Sequence, residues 1–140
     1  VLARNQAIYT CSWSRDGKRV LTCSEDKSIK LWEIGSGACT QTLVGHGGEA
    51  YAGSFSPSGS NILSRGEDAV LRVWDADSGA CRAALAGHDF AVNAGVYSPD
   101  GHTVASASYD GAVRLWDAAT GKCVHTMTGH SGAVEACAWR

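Results

Sequence analysis

The chain is poor in the features that would announce chemistry or a membrane. It has 2 prolines, 1 methionine and 5 histidines in 140 residues. Its 12 Lys and Arg against 14 Asp and Glu leave a formal charge of -2, and the basic residues form no cluster, so the electrostatic footprint of a nucleic-acid binder is missing. Apolar runs are only a few residues long, too short for a transmembrane helix. No signal-peptide pattern opens the chain and no Cys-x-x-Cys occurs. With 44% apolar and 19% charged residues it reads as a folded globular chain.

What the sequence does have is a repeat with a step of 42 residues. His46, His88 and His130 obey it, as do Trp32, Trp74 and Trp116; Asp26, Asp68 and Asp110; and Gly17, Gly59 and Gly101. The aromatic series Trp13, Phe55, Tyr97 and Trp139 keeps the same register without an insertion. A period of this length marks one supersecondary unit that cannot bury its own face alone.

Within each unit, short alternating or β-branched runs are separated by Gly/Asp/Ser turns, the pattern of an antiparallel meander. The expected strands of the first unit are 7–13, 19–24, 28–33 and 39–43. Those of the second are 49–55, 61–64, 70–74 and 81–85, and the third unit spans 91–127. Residues 133–139 are expected to form the first strand of a fourth unit. In the third strand of the first unit, Ile29 and Leu31 face one way while Lys30 and Trp32 face the other.

Cysteine usage follows the repeat. Cys39, Cys81 and Cys123 are one position seen three times, and Cys11 and Cys137 are three steps apart. Reduced, partly buried thiols in an intracellular protein are expected in place of a disulfide framework.

Gly-His, YSPDG, ASASYDG, VRLWD and TGKC in one register resemble the WD-repeat family, and the resemblance covers essentially the whole chain. It implies an all-β fold of β-propeller blades, each a four-stranded antiparallel meander. The chain is then a partial propeller over residues 1–140, with blades at about 7–43, 49–85 and 91–127 plus the strand at 133–139. A seven-bladed ring would take roughly 290 residues. The remaining blades are expected in the same or another chain.

A His, a Ser and an Asp in each unit invite a nucleophilic triad. The resemblance implies a buried hydrogen-bond network instead: His46, Ser64, Asp68 and Trp74 in the second blade, and His88, Ser106, Asp110 and Trp116 in the third. In the first blade Thr22, Asp26 and Trp32 match, while Arg4 stands where His belongs. Catalysis needs a nucleophile open to substrate, which a network repeated in every blade does not provide. No catalytic residue, cofactor or metal site is expected. The Cys/His pairs 39/46, 81/88 and 123/130 do not converge four ligands on one ion.

Lys30, Arg72 and Arg114 recur at the step beside Glu33, Asp75 and Asp117, and are expected to be locally paired, solvated charges. Arg65 replaces the small residues Cys23 and Ala107, so it must snorkel, pair with an acid or face a central channel.

The resemblance also implies binding through top-face loops. The matching positions are Tyr9, Glu25, Glu49, Tyr51, Glu67, Asn93, Tyr109 and Glu135, together with Ala7, Ala91 and Ala133. Acids beside aromatics, without Lys or Arg, suit a basic peptide through charge-assisted hydrogen bonds and cation–π contact. The expected function is a cytoplasmic, non-catalytic scaffold that binds other proteins, with no nucleic-acid or membrane partner. Two alternatives stay open: a permanent subunit of a cytoskeletal or ciliary (axonemal) assembly, and a regulatory region of a signalling ATPase or ubiquitin-ligase adaptor.

Overall fold

A computed structural model describes residues 6–140. They form twelve strands. The first sheet holds β1 (Ile8–Trp13), β2 (Arg19–Ser24), β3 (Ser28–Glu33) and β4 (Cys39–Val44). The second holds β5 (Ala50–Phe55), β6 (Asn61–Gly66), β7 (Leu71–Asp75) and β8 (Cys81–Leu85). The third holds β9 (Val92–Tyr97), β10 (Thr103–Ser108), β11 (Val113–Asp117) and β12 (Cys123–Met127). Each sheet is a meander with its strands in chain order and every neighbouring pair antiparallel. No helix occurs among the described residues.

The alternation read from the sequence sets the packing. Ile29 and Leu31 on β3 are fully buried, and with Leu21, Cys23 and Leu43 they meet Ala50, Ile62, Trp74 and Ala76 of the second sheet. One step later, Leu63, Leu71, Val73 and Leu85 meet Val92, Val104 and Trp116 of the third. The two cores are thus one interface used twice, its large aliphatic side chains contributing about 1.5–3 kcal/mol each. Glycine on the first strand of a blade permits the close approach: a Cβ on Gly53 would lie 2.7 Å from Leu21 Cδ2.

Polar contacts reinforce the first junction. Arg19 reaches from β2 to Ala76 O, Gly59 O and Asp77 Oδ1 at 3.2–3.3 Å, with its guanidinium 5.5 Å from the centre of the Phe55 ring. Gln41 Nε2 donates to Asp77 O at 2.6 Å.

Two expectations are corrected here. Residues 133–139 form no strand, because no second strand of a fourth blade is present among the described residues to pair with them. The segment is held by isolated bonds instead, Val134 N donating to Ser108 O and Cys137 Sγ to Ala105 O. The cysteines are free thiols, but Cys11, Cys39, Cys81 and Cys123 are exposed, and only Cys23 is buried. Cys39, Cys81 and Cys123 lie on the fourth strands, which have no strand outside them in their sheets.

Candidate functional site

The structure gathers the repeated polar residues into two kinds of site, one buried and one exposed.

In the second blade, Trp74 Nε1–H donates to Ser64 Oγ at 2.8 Å, Ser64 Oγ lies 2.7 Å from His46 Nε2, and His46 Nδ1 lies 3.0 Å from Asp68 Oδ1. The third blade repeats the chain with Trp116, Ser106, His88 and Asp110 at 2.8, 2.7 and 2.8 Å. One proton arrangement satisfies every member. The serine accepts from the indole and donates to Nε2, and Nδ1–H donates to the carboxylate. Gly47 N and Asp89 N donate to the same carboxylates, tying the loop before each blade to the turn after its second strand.

Burial holds the pKa of His46 below the ordinary value, opposed by the Asp68 carboxylate and assisted by the Arg72 charge. Asp68 would rise on burial, but hydrogen bonds from Gly47, His46 and Arg72 hold it below the usual carboxylate range. Asp110 is likewise lowered, its bonds to His88, Ala112 and Asp89 outweighing desolvation. In the second blade the result is a neutral His46 imidazole on an ionised Asp68, and in both blades the serine hydroxyl is spent on two partners inside the core. Ser64 and Ser106 have relative exposures of 1% and 0%, so neither is open to a substrate.

Arg72 departs from the expectation of a solvated charge. Its Nη1 donates to Asp68 Oδ2 at 2.6 Å and approaches His46 Nδ1. Asp75 pairs instead with Arg82. Recurrence of a basic residue four positions after each turn Asp was the signal, because i and i+4 meet across this short turn. Arg114 makes no such bond; its Nε is buried without a partner and its guanidinium lies under Gly87. In the first blade, Trp32 Nε1 donates to Thr22 Oγ1 at 2.9 Å, and Asp26 Oδ1 accepts from Ser28 N and Oγ. Arg4 lies outside the described residues.

The exposed site sits at the end of the sheets that carries the β2–β3 turns and the β4–β5 connection. Tyr9 Oη donates to Glu49 Oε2 at 2.6 Å, and the Tyr9 and Tyr51 rings meet edge to face with centroids 5.6 Å apart. The bond to Glu49, with desolvation and the charges of Glu49 and Glu25, pushes the Tyr9 hydroxyl up to about 12. Tyr51 is raised by desolvation and then by Glu67 and Glu49. Glu25 Oε2 accepts from Ala7 N at 3.0 Å. Tyr9, Glu25, Glu49, Tyr51 and Glu67 therefore form one acidic and aromatic rim across the first two blades. Tyr9 is 42% and Tyr109 57% exposed.

The remaining candidates stand apart. Asn93 Nδ2 is occupied, donating to Val134 O at 3.0 Å, and Glu135 is exposed on the terminal segment. Arg65 takes none of the acids: its Nη1 donates to Val92 O at 3.2 Å, and desolvation lowers its pKa. It lines a cleft between the second and third blades with Gly53, Ala94 and Gly95. No cluster of His, Cys, Asp and Glu able to hold a metal occurs among the described residues.

Comparison with known proteins adds the lineage. The family described as WD domain, G-beta repeat (WD40) matches residues 2–33, 37–75, 79–117 and 121–140. The zebrafish (Danio rerio) WD repeat domain-containing protein 83 is 42% identical over 43 residues, which is 31% of this chain and 14% of that protein. The Lissencephaly-1 homolog of Branchiostoma floridae is 53% identical over 32 residues, 23% of this chain and 8% of that protein. Each matched stretch is thus a small part of the relative's length. With four matches covering nearly the whole chain, and three four-stranded meanders locked by the same Trp–Ser/Thr pair, the chain belongs to the WD-domain, G-beta-repeat family.

Proposed function

We propose that this WD-repeat chain is a non-catalytic scaffold whose rim of Tyr9, Glu25, Glu49, Tyr51 and Glu67 binds a basic segment of a partner protein. The observation that carries the reading is the Tyr9–Glu49 hydrogen bond beside the Tyr9–Tyr51 ring contact, which joins acids and aromatic faces from two blades into one surface. An ammonium there meets carboxylates and ring faces together, gaining charge-assisted bonds and cation–π attraction. The rigid blades beneath hold these side chains in place, which limits the entropy lost on binding. Tyr109, exposed in the turn between β10 and β11, adds an aromatic face on the third blade.

A fluorescent peptide of alternating lysine and glycine, followed by anisotropy, tests the proposal. Glu49→Lys with Glu67→Lys is expected to weaken binding at least tenfold while the far-ultraviolet circular dichroism stays unchanged. Equal binding by the folded double variant would remove the rim from the account.

A further inference from the structure

One difference between the two blade junctions lies at the end of the sheets opposite the rim. At the first junction the Arg19 guanidinium crosses the space between the turns, bonding Gly59 O, Ala76 O and Asp77 and lying over Phe55. One step of 42 along, the corresponding residues are Asn61 for Arg19, Gly101 for Gly59, Ala118 for Ala76, Ala119 for Asp77 and Tyr97 for Phe55. Asparagine is too short to repeat the reach, and a cleft of about 440 Å3 opens there, lined by Asn61, Gly101, Ala118 and Asp117 among others.

The cleft keeps the two carbonyl acceptors of the first junction, at Gly101 and Ala118, but has neither its arginine nor a counterpart of Asp77. Asn61 Oδ1, on the lining, is buried with no hydrogen-bond partner; Tyr97 Oη is also buried and unpaired, but Tyr97 packs against the core behind the cleft and does not line it. Gly101 O and Ala118 O receive no donor among the described residues. Leaving a desolvated acceptor unpaired is costly, and a bound donor removes that cost.

Charge points the same way. Asp117 takes the place of Asp75, but the arginine that pairs Asp75, Arg82, becomes Val124 at the step. Asp117 Oδ1 accepts from Ala119 N and Thr120 N, the Thr120 side chain adds to these, and no arginine or lysine bonds the carboxylate. Asp100 stands where the second blade has Ser58; its Oδ1 accepts from Ser98 Oγ and His102 N, and its Oδ2 has no donor among the described residues. Hydrogen bonds hold both carboxyls below the usual range, so both are ionised at neutral pH. Arg82, the cleft's own arginine, is committed to Asp75.

We propose that the cleft between the second and third blades is a receptor for a guanidinium group, supplied by an arginine of a partner polypeptide, which occupies the position that Arg19 fills in cis at the first junction. The planar fork offers five N–H donors to a set of carbonyl, amide and carboxylate oxygens, whereas an ammonium offers three from one point. This site is separate from the rim and stands or falls independently of it.

The test is a titration of the isotopically labelled protein with methylguanidinium, read by nuclear magnetic resonance at Tyr97, Gly101 and Ala118. Saturable shifts are expected at these residues and not at Phe55 or Gly59, where Arg19 already sits. Methylammonium should bind at least tenfold more weakly. Asn61→Arg with Ala119→Asp rebuilds the first junction in the second, and should abolish the response with the Trp116 indole signal retained. Arg19→Asn, conversely, should create a response at Phe55 and Gly59. Acetyl-arginine methylamide should bind more tightly than free L-arginine, whose carboxylate meets Asp100 and Asp117. Non-saturating shifts, equal binding of the two cations, or a response persisting in folded Asn61→Arg/Ala119→Asp would overturn the proposal; tighter binding of free arginine would overturn its polypeptide source.

Discussion

Replacing Ser106 by alanine should cost more than the size of the change suggests. The hydroxyl accepts from Trp116 Nε1–H at 2.8 Å and donates to His88 Nε2 at 2.7 Å. Removing it leaves both a buried donor and a buried acceptor unpaired, since Trp116 is 1% and His88 7% exposed. Each orphaned group costs about 1–3 kcal/mol, so the loss is roughly 2–6 kcal/mol. Thr22→Val is the internal control. Thr22 bonds Trp32 alone, and Trp32 is only half-buried, so water replaces the lost partner and the cost is about 0.5–1.5 kcal/mol. Urea unfolding followed by tryptophan fluorescence gives the global value. Because repeats unfold in partly independent units, hydrogen exchange at the Trp116 indole gives the local one. A Ser106→Ala loss no larger than that of Thr22→Val would refute the idea that the paired hydroxyl is the centre of the network.

Other consequences are separable. Ala69 has φ 61° at the step position where the third blade has Gly111 at 82°, so Ala69→Gly should relieve left-handed strain and raise stability by about 0.5–1 kcal/mol in urea melts. Gly66→Ala should destabilise, since a Cβ there would stand 2.5 Å from the Glu49 carbonyl oxygen, and a lowered melting temperature checks it. Acid should act in two stages. His46 has a folded pKa below its unfolded value of about 6.5, so the unfolded chain binds the extra proton and stability falls as pH drops below that value. Asp68 and Asp110 also have lowered folded values, so their contribution is present above about pH 4 and is lost as pH falls through the folded values. Urea midpoints measured from pH 8 to pH 3 should show both losses, and His46→Gln should remove the first.

The blades were legible because the 42-residue step and the alternation of Ile29, Lys30, Leu31 and Trp32 act locally, and each turn is marked by its own residues. Strand bounds read from the sequence differ from the structure by one or two residues at places such as Ser64 against Gly66. The segment 133–139 carries strand periodicity, yet a strand exists only through a partner's hydrogen bonds, which its own residues do not encode. Arg72 was misassigned because its nearest acid in sequence, Asp75, is not its nearest in space: the turn folds Asp68 back onto it, and Arg82 claims Asp75. The Asn61 cleft was hidden because the substitution at Arg19 and its step-mate looks like ordinary surface variation until the reach of Arg19 across to the next blade is seen. The rim residues were named from the family resemblance; that Tyr9 and Glu49 bond across blades required their geometry.

The central claim is that a rigid repeat presents the rim to a basic partner. Mapping the amide and ring shifts of the labelled protein on addition of the lysine–glycine peptide tests it most directly. The account predicts saturable shifts at Tyr9, Glu25, Glu49, Tyr51 and Glu67, with the Trp74 and Trp116 indole signals unmoved. Shifts centred elsewhere, or movement of the buried indoles with the rim unchanged, would contradict it.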